Sequence, residues 1–585
     1  MKLNKKFMST MALVLASSMA LTACGSNDSS TPSTSAPSTS TPSSDASSNA
    51  EASTPVEDNV RRTSDGYKIS DTQEFIFNLG ADPLTIDPQL NSATDGSHVI
   101  TNMFEGLIRE SGGEVTPGMA KSWDISDDGL TYTFHLRDGI KWSDGQPVVA
   151  GDFEYAWKRA VDPATASKYA YIFGSANILN ANDIVDGKTD FNELGVVALD
   201  DKTLQVTLEM PTEYFLRLTG FPTFMPVRED IVDPDGIWAK KPETAISNGP
   251  FMLQSYSMSD NMVLVKNPNY WNADNIELEK ITMRMITEAS TAYTAFNSNE
   301  VYLIDEIPTA EIGNLMATSH EFYIEPYIGT YFLIFDLEDN EVLQDVNVRK
   351  ALNYAIDRTE ITEHVTKGGE IPATSFVGPG FTDANGKDFY SVGNMEHDNY
   401  GIPKQADIAA AQAALAEAGY PNGEGFPTLE YMYNTNDGHK AVAEAIQQMW
   451  KENLGIDVTL TNQEWAVFQE TRNNKTFTGL ARHGWIGDYA DPNTMLEMFI
   501  SNSAQNNMGY SSEEFDEQLY LSRVTTGTER MDHLYKAQEI LMNDLPLIPI
   551  YYYTNPLLVK DEVHQWEITS TGKYYFGNTV MIDLD

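Results

Sequence analysis

Few side chains in this chain fall into a pattern that does chemistry. Its nine histidines form no H-E-x-x-H pair, so that zinc arrangement is missing. No Walker A lysine follows a glycine-rich loop, and neither G-x-G-x-x-G nor G-x-S-x-G occurs. The 85 acidic residues make a glycosidase-like pair of carboxylates expected by chance, so such a pair carries no information. One reactive side chain is placed distinctively. Cys24 is the single cysteine, which excludes intramolecular disulfides and cysteine-rich zinc sites. It follows Leu21-Thr22-Ala23 and precedes Gly25, after Lys2, Lys5, Lys6 and an apolar stretch from Phe7 to Ala20. That order is a charged n-region, an apolar h-region and a small-residue cleavage site. The apolar run is shorter than the roughly 20 residues a membrane-spanning helix needs.

A plain export signal needs no cysteine at that point. Leu-Thr-Ala-Cys resembles the lipobox of bacterial lipoproteins, and the resemblance implies cleavage after residue 23, acylation of Cys24 and attachment to the membrane by lipid. Residues 25–56 are rich in Ser, Thr and Pro with almost nothing to bury, and read as a disordered stalk. The formal charge is −47. Such a polyanion lacks the basic surface that nucleic acid requires and is repelled by anionic lipid headgroups, so membrane attachment must come from the anchor. The acidity reads as a solubility feature.

The elements that must position a site begin near Thr72. Alternation marks strands at Phe75 and Phe77, at Thr131–Leu136, at Leu204, Val206 and Leu208, at Val263 and Val265, and at Ile281, Met283 and Met285. Helical periods appear at Gly151–Ala160, Val346–Asp357, Gln405–Glu417 and Lys440–Asn453. The third ends in Ala418-Gly419-Tyr420-Pro421, a Gly-then-Pro stop. Mixed elements and this length predict an α/β or α+β body of two or more domains, with no repeat of 20–50 residues.

One long segment is highly specific: His135-Leu-Arg-Asp-Gly-Ile-Lys-Trp-Ser-Asp-Gly-Gln-Pro-Val-Val-Ala-Gly-Asp-Phe-Glu-Tyr-Ala-Trp157. Asn248-Gly-Pro-Phe251, Asn267-Pro-Asn-Tyr-Trp271, Asp345-Val-Asn-Val-Arg-Lys-Ala-Leu352, Asn462-Gln-Glu-Trp465, Arg482-His-Gly-Trp-Ile-Gly-Asp488-Tyr-Ala-Asp-Pro492 and Pro549-Ile-Tyr-Tyr-Tyr553 come after it in order. Together they resemble the oligopeptide-binding proteins of ABC importers, the OppA-like members of the family-5 solute-binding proteins. The resemblance implies an α/β, two-lobed periplasmic-binding-protein-like fold (type II, cluster C) with an extra inserted domain. Carried onto this chain, lobe 1 takes 72–104, 229–328 and 554–585, the inserted domain 105–228 and lobe 2 329–553, after a signal peptide (1–23) and a stalk (24–71). The hinges fall near Thr330 and Thr554.

The resemblance also implies roles for residues. Asp488 of the W-x-x-D-Y motif receives the amine of a peptide, because a charge taken out of water must be paired. Backbone groups around Gly484 and Ile486 pair with the ligand as an added strand. Trp465, Trp485 and Tyr169 wall its side-chain pockets. Arg472, Arg482 and His439 meet the carboxylate end as cations. Two acids of some relatives are absent, since Ser92 and the Tyr327–Ile334 segment lack them. A protein of this kind is expected to be a monomeric, non-enzymatic binder of oligopeptides. It would work with ABC permease subunits on the outer face of the cytoplasmic membrane, or on its periplasmic side in a Gram-negative cell. No cofactor, metal or nucleic acid is expected. The alternatives are another ligand on the same fold (a dipeptide, a nickel complex, haem or an oligosaccharide) and a sensor of peptide pheromones.

Overall fold

The structure is a computed structural model that describes residues 61–111, 114–234, 236–503, 505–569 and 571–584. Cys24, the leader and the Ser/Thr/Pro segment lie outside the described residues. Two long antiparallel strands, Phe322–Phe335 and Leu547–Val559, run side by side through an 11-stranded sheet. On one flank lie Leu303–Ile304, Glu74–Asn78, Lys280–Arg284, Asn261–Lys266 and Phe251–Ser257 in that order; on the other lie Leu480–Ile486, Leu429–Asn434 and Val458–Gln463. The sheet therefore passes from one lobe into the other through the two long strands, giving a two-lobed α/β fold. Their ladder runs from Phe322 opposite Leu558 to Pro326 opposite Thr554, slips, and resumes with Thr330 opposite Tyr552. The slip leaves the strands least constrained where the lobes meet.

These strands read YIGTYFLIF and LIPIYYYTNPLLV, the near-continuous apolar pattern of strands covered on both faces. The period of two divides them cleanly. Phe332 and Ile334 enter a core with Phe376 and Leu534, whereas Tyr331, Leu333 and Phe335 enter the opposite core with Leu352 and Trp450. In the other lobe Phe75, Phe77, Ile281 and Met283 are fully buried, as their alternation requires. In Asn261–Lys266 the buried set is Met262 and Leu264; Val263 and Val265 occupy the half-exposed face. Both faces of that strand are apolar, so alternation alone does not select the inner one.

A four-stranded antiparallel sheet, in the order Ala120–Ile125, Thr131–Leu136, Thr203–Thr207 and Val196–Asp200, forms with helix Ala150–Val161 the small unit inside residues 105–228. Its core is continuous with that of the adjoining lobe. The tie between them is buried: Arg159 donates to both oxygens of Asp87 at 2.8 Å, and Trp238 Nε1 donates to Asp87 Oδ2 at 2.8 Å.

The expected helices form with shifted ends. Helix Ile408–Glu417 starts three residues after Gln405, because the Asp407 side chain accepts from Ala410 N–H at 2.9 Å and caps it. Helix Val346–Tyr354 stops before Asp357, which instead caps the next turn by accepting from Glu360 N–H. The stalk boundary expected at residue 71 is too late. Arg62 bridges Lys68, Ile69 bridges Ile582, and Ser70 N–H donates to the Met581 carbonyl, so residues 61–71 belong to the folded body. Among the described residues no helix is long and apolar enough to cross a membrane.

Candidate functional site

Strand Leu480–Ile486 lies beside the lobe junction. One edge pairs with the long strand along its whole length, from Leu480 opposite Phe335 to Ile486 opposite Gly329. On the other edge, pairing with Leu429–Asn434 stops at Ala481 opposite Met432. Among the described residues no strand covers Arg482–Ile486 on that side. An open edge with a row of backbone donors and acceptors is a template for another strand. Gly484 and Ile486, expected to read a ligand backbone, are both on it. Gly484 must stay small: a Cβ there would sit 2.4 Å from Tyr553 Oη.

Asp488 follows this strand. Its oxygens accept from Tyr169 Oη at 3.3 Å and Tyr171 Oη at 2.9 Å, and its backbone N–H donates to Thr494 Oγ1 at 3.0 Å. Burial raises the carboxyl above its ordinary pKa, and the tyrosine hydroxyls and the Lys573 ammonium oppose that rise. The two tyrosines come from the unit within 105–228 and the aspartate from the opposite lobe, so the carboxylate is enclosed by lobe contact. Tyr169, expected as a pocket wall, packs on Phe221 at 4.8 Å and stacks on Tyr171. Trp485 is half-buried against the second lobe's core, with Nε1 donating to the Thr494 carbonyl at 2.8 Å. Trp465 opens helix Trp465–Asn473, and its side chain lies outside the described part. Asp491 has a purely structural place: it caps Asn493 N–H and forms a buried pair with Arg530 at 2.7 Å.

The basic residues gather at the other end of the open edge. Arg482 donates to Tyr553 Oη at 2.9 Å, and its guanidinium lies 5.0 Å over the Tyr331 ring. Arg472 is held down to about 10 by burial and by the charge of Arg482. Nε of both arginines is buried without a hydrogen-bond partner, and among the described residues no carboxylate forms a salt bridge with either. In a chain with 85 acids, two half-buried guanidiniums with no salt bridge to a carboxylate among the described residues are suited to receive an anion. His439 joins this group, its ring 5.5 Å from Tyr331, but not as a cation. Burial and Arg482 push it to about 3, so it is neutral at neutral pH and offers an N–H or a lone pair instead.

Two participants carried no sequence pattern. Tyr171 stands two residues beyond Tyr169, with nothing local to separate it from a core tyrosine. Lys573 is reached only through folding, from a C-terminal hairpin that shares with Asp488 a small cavity between the lobes. Among the described residues no cluster of His, Cys, Asp and Glu suits a metal ion.

Two lobes on a continuous sheet, an open strand edge beside their junction, an enclosed carboxylate past one end and guanidiniums without an acid partner at the other are features that suit a solute-binding protein. Residues 114–507 match the family of bacterial extracellular solute-binding proteins, family 5, and the chain belongs to that family. It is 36% identical over 514 residues to the oligopeptide-binding protein OppA of Bacillus subtilis, covering 86% of this chain and 91% of that one. The Escherichia coli murein tripeptide-binding protein MppA superposes with a TM-score of 0.77 at 32% identity, over 88% of this chain and 100% of that one. An unliganded open form of MppA gives 0.70 over 88% and 98%. The lobes here thus sit nearer to the arrangement of the former, in keeping with the contacts that enclose Asp488.

Proposed function

We propose that this protein captures oligopeptides between its lobes outside the cytoplasmic membrane and delivers them to an ABC permease, held near it by a lipid on Cys24. The observation that carries the reading is the opposed charge along one open strand edge: the carboxylate of Asp488 past one end, and Arg482 and Arg472 without acids at the other. A peptide offers the complement, a cationic amine, a backbone that pairs as a strand and an anionic carboxylate. In this reading Asp488 takes the amine, the Gly484–Ile486 edge takes the backbone, and Arg482, Arg472 and neutral His439 take the carboxylate. Trp485, Trp465 and Tyr169 border the side-chain pockets. Lobe 1 is 61–104, 229–328 and 554–585, the inserted domain 105–228 and lobe 2 329–553, hinged at the register slip. Names of relatives support the ligand class: one is an oligopeptide-binding protein, another binds a murein tripeptide. Mass spectrometry of whatever remains bound after gentle purification tests it. Peptides of a few residues are expected; a bound sugar or metal complex with no peptide would refute the ligand class.

A further inference from the structure

Lys573 is drawn toward the proposed amine site from the opposite lobe. It follows a tight turn between Glu567–Ile568 and Tyr574–Tyr575, closed by Gly572 N–H donating to the Thr569 carbonyl at 2.9 Å and Lys573 N–H donating to Thr569 Oγ1 at 3.0 Å. Gly572 has φ +78°, and a Cβ there would lie 2.5 Å from the Tyr327 ring in the crossing strand. The turn is thereby pinned against the place where the lobes pivot. The Lys573 ammonium donates to Thr571 Oγ1 at 2.8 Å, lies 4.8 Å from the Phe221 ring centre, and lines with Asp488 a cavity of about 40 Å³, space for about three waters.

We propose that Lys573 is a specificity-determining residue: an ammonium that balances the charge of Asp488 across their shared cavity and that an arriving ligand amine must displace. The inference rests on Asp488 being the amine acceptor. Physically, a carboxylate enclosed by two tyrosines needs a counter-charge once water is excluded. Asp488 and Glu110, which line the same cavity, both pull on Lys573. Burial holds Lys573 down to about 8, so an arriving amine can eject its proton. The other titratable groups around it do not take over this part. Arg109 is paired with Glu105 at 3.0 Å. His98 is held near 3 by burial and by Lys573 itself. Tyr169, Tyr171 and Tyr489 are pushed up by burial and stay neutral, and Arg217, which also lines the cavity, already has a partner of its own.

The test is titration calorimetry of the wild-type protein, Lys573→Met and Asp488→Asn with trialanine, at about pH 7 in two buffers of different ionisation enthalpy. Removing one of two cations competing for a single carboxylate should tighten trialanine binding to Lys573→Met by about tenfold. The wild type should release a fraction of a proton on binding that Lys573→Met does not. Equal or weaker binding by Lys573→Met with an unchanged proton count overturns the proposal. If Asp488→Asn loses binding while Lys573→Met behaves as wild type, the role of Lys573 falls and the amine site stands. If Asp488→Asn binds as wild type, or no protein binds trialanine, the amine reading falls and takes the proposal with it.

Discussion

Replacing Asp488 by Asn keeps the shape of the side chain and removes its charge. Asn can still accept one of the two tyrosine hydroxyl bonds, those from Tyr169 at 3.3 Å and Tyr171 at 2.9 Å. What is lost is the partner of a desolvated ligand amine. Breaking a buried charge pair costs about 3–5 kcal/mol, and retention of one acceptor offsets about 1 kcal/mol of it. Peptide affinity should therefore fall by about 30-fold to 1,000-fold. Stability of the ligand-free protein should respond differently. Burial raises the folded pKa of this carboxyl, so the native state holds a proton more tightly than the unfolded chain does. Its contribution is then most favourable at low pH and is lost as pH rises through the folded value. At neutral pH burial costs the charged Asp488 more than the tyrosines and Lys573 return, but its removal also takes a counter-charge from the buried Lys573 ammonium, so Asp488→Asn should leave the ligand-free melting temperature nearly unchanged. Calorimetry with a tripeptide and thermal melts of the same samples read both quantities. Unchanged affinity refutes the amine assignment; lost affinity with a lowered ligand-free melting temperature shows general damage to the fold and refutes the reasoning from local charge.

Asp87→Ala leaves Arg159 buried without its acid and strips Trp238 of an acceptor, so thermal or denaturant unfolding should show a loss of about 3–5 kcal/mol. His483 lies stacked on Phe332, with burial holding its pKa well below the ordinary value; His98 and His439 are held near 3. Each unfolded imidazole takes a proton that its folded form refuses, so this stabilisation is full above about pH 6.5 and declines as pH falls below it. His483→Gln should flatten the melting temperature against pH by about one proton's worth, and an unchanged slope would contradict the burial argument. Cys24→Ser should release a peptide-competent protein into the medium, as cell fractionation would show; retention on the membrane would count against lipid anchoring.

Much of the fold was legible because periodicity survives in local sequence. Phe75 and Phe77, or the Gly419 stop after helix Ile408–Glu417, need no distant information. Val263 and Val265 show the limit: in a strand apolar on both faces, the sheet's neighbours choose which face is inside. Of the candidate site, Asp488, Arg482 and Gly484 share one continuous motif and could be proposed together. Tyr171 and Lys573 could not, because they reach Asp488 from segments separated from it by 317 residues in one case and by a whole C-terminal hairpin in the other. His439 was expected as a cation; its neutrality comes from burial and from Arg482, neither of which is visible along the chain.

The shared central sheet also bears on how the chain becomes a protein at all. Strand Leu547–Val559 lies beside Phe322–Phe335 through both lobes, yet among the described residues it follows every other strand of the central sheet in chain order. Until it arrives, the first lobe lacks the partner of Leu303–Ile304 and the second lacks the neighbour of its longest strand. Neither half can close its core early, and a chain truncated before Leu547 should remain incompletely structured on both sides. Consolidation of both lobes is therefore concentrated in the one step that adds this strand, and the segments made before it wait on long-range pairing.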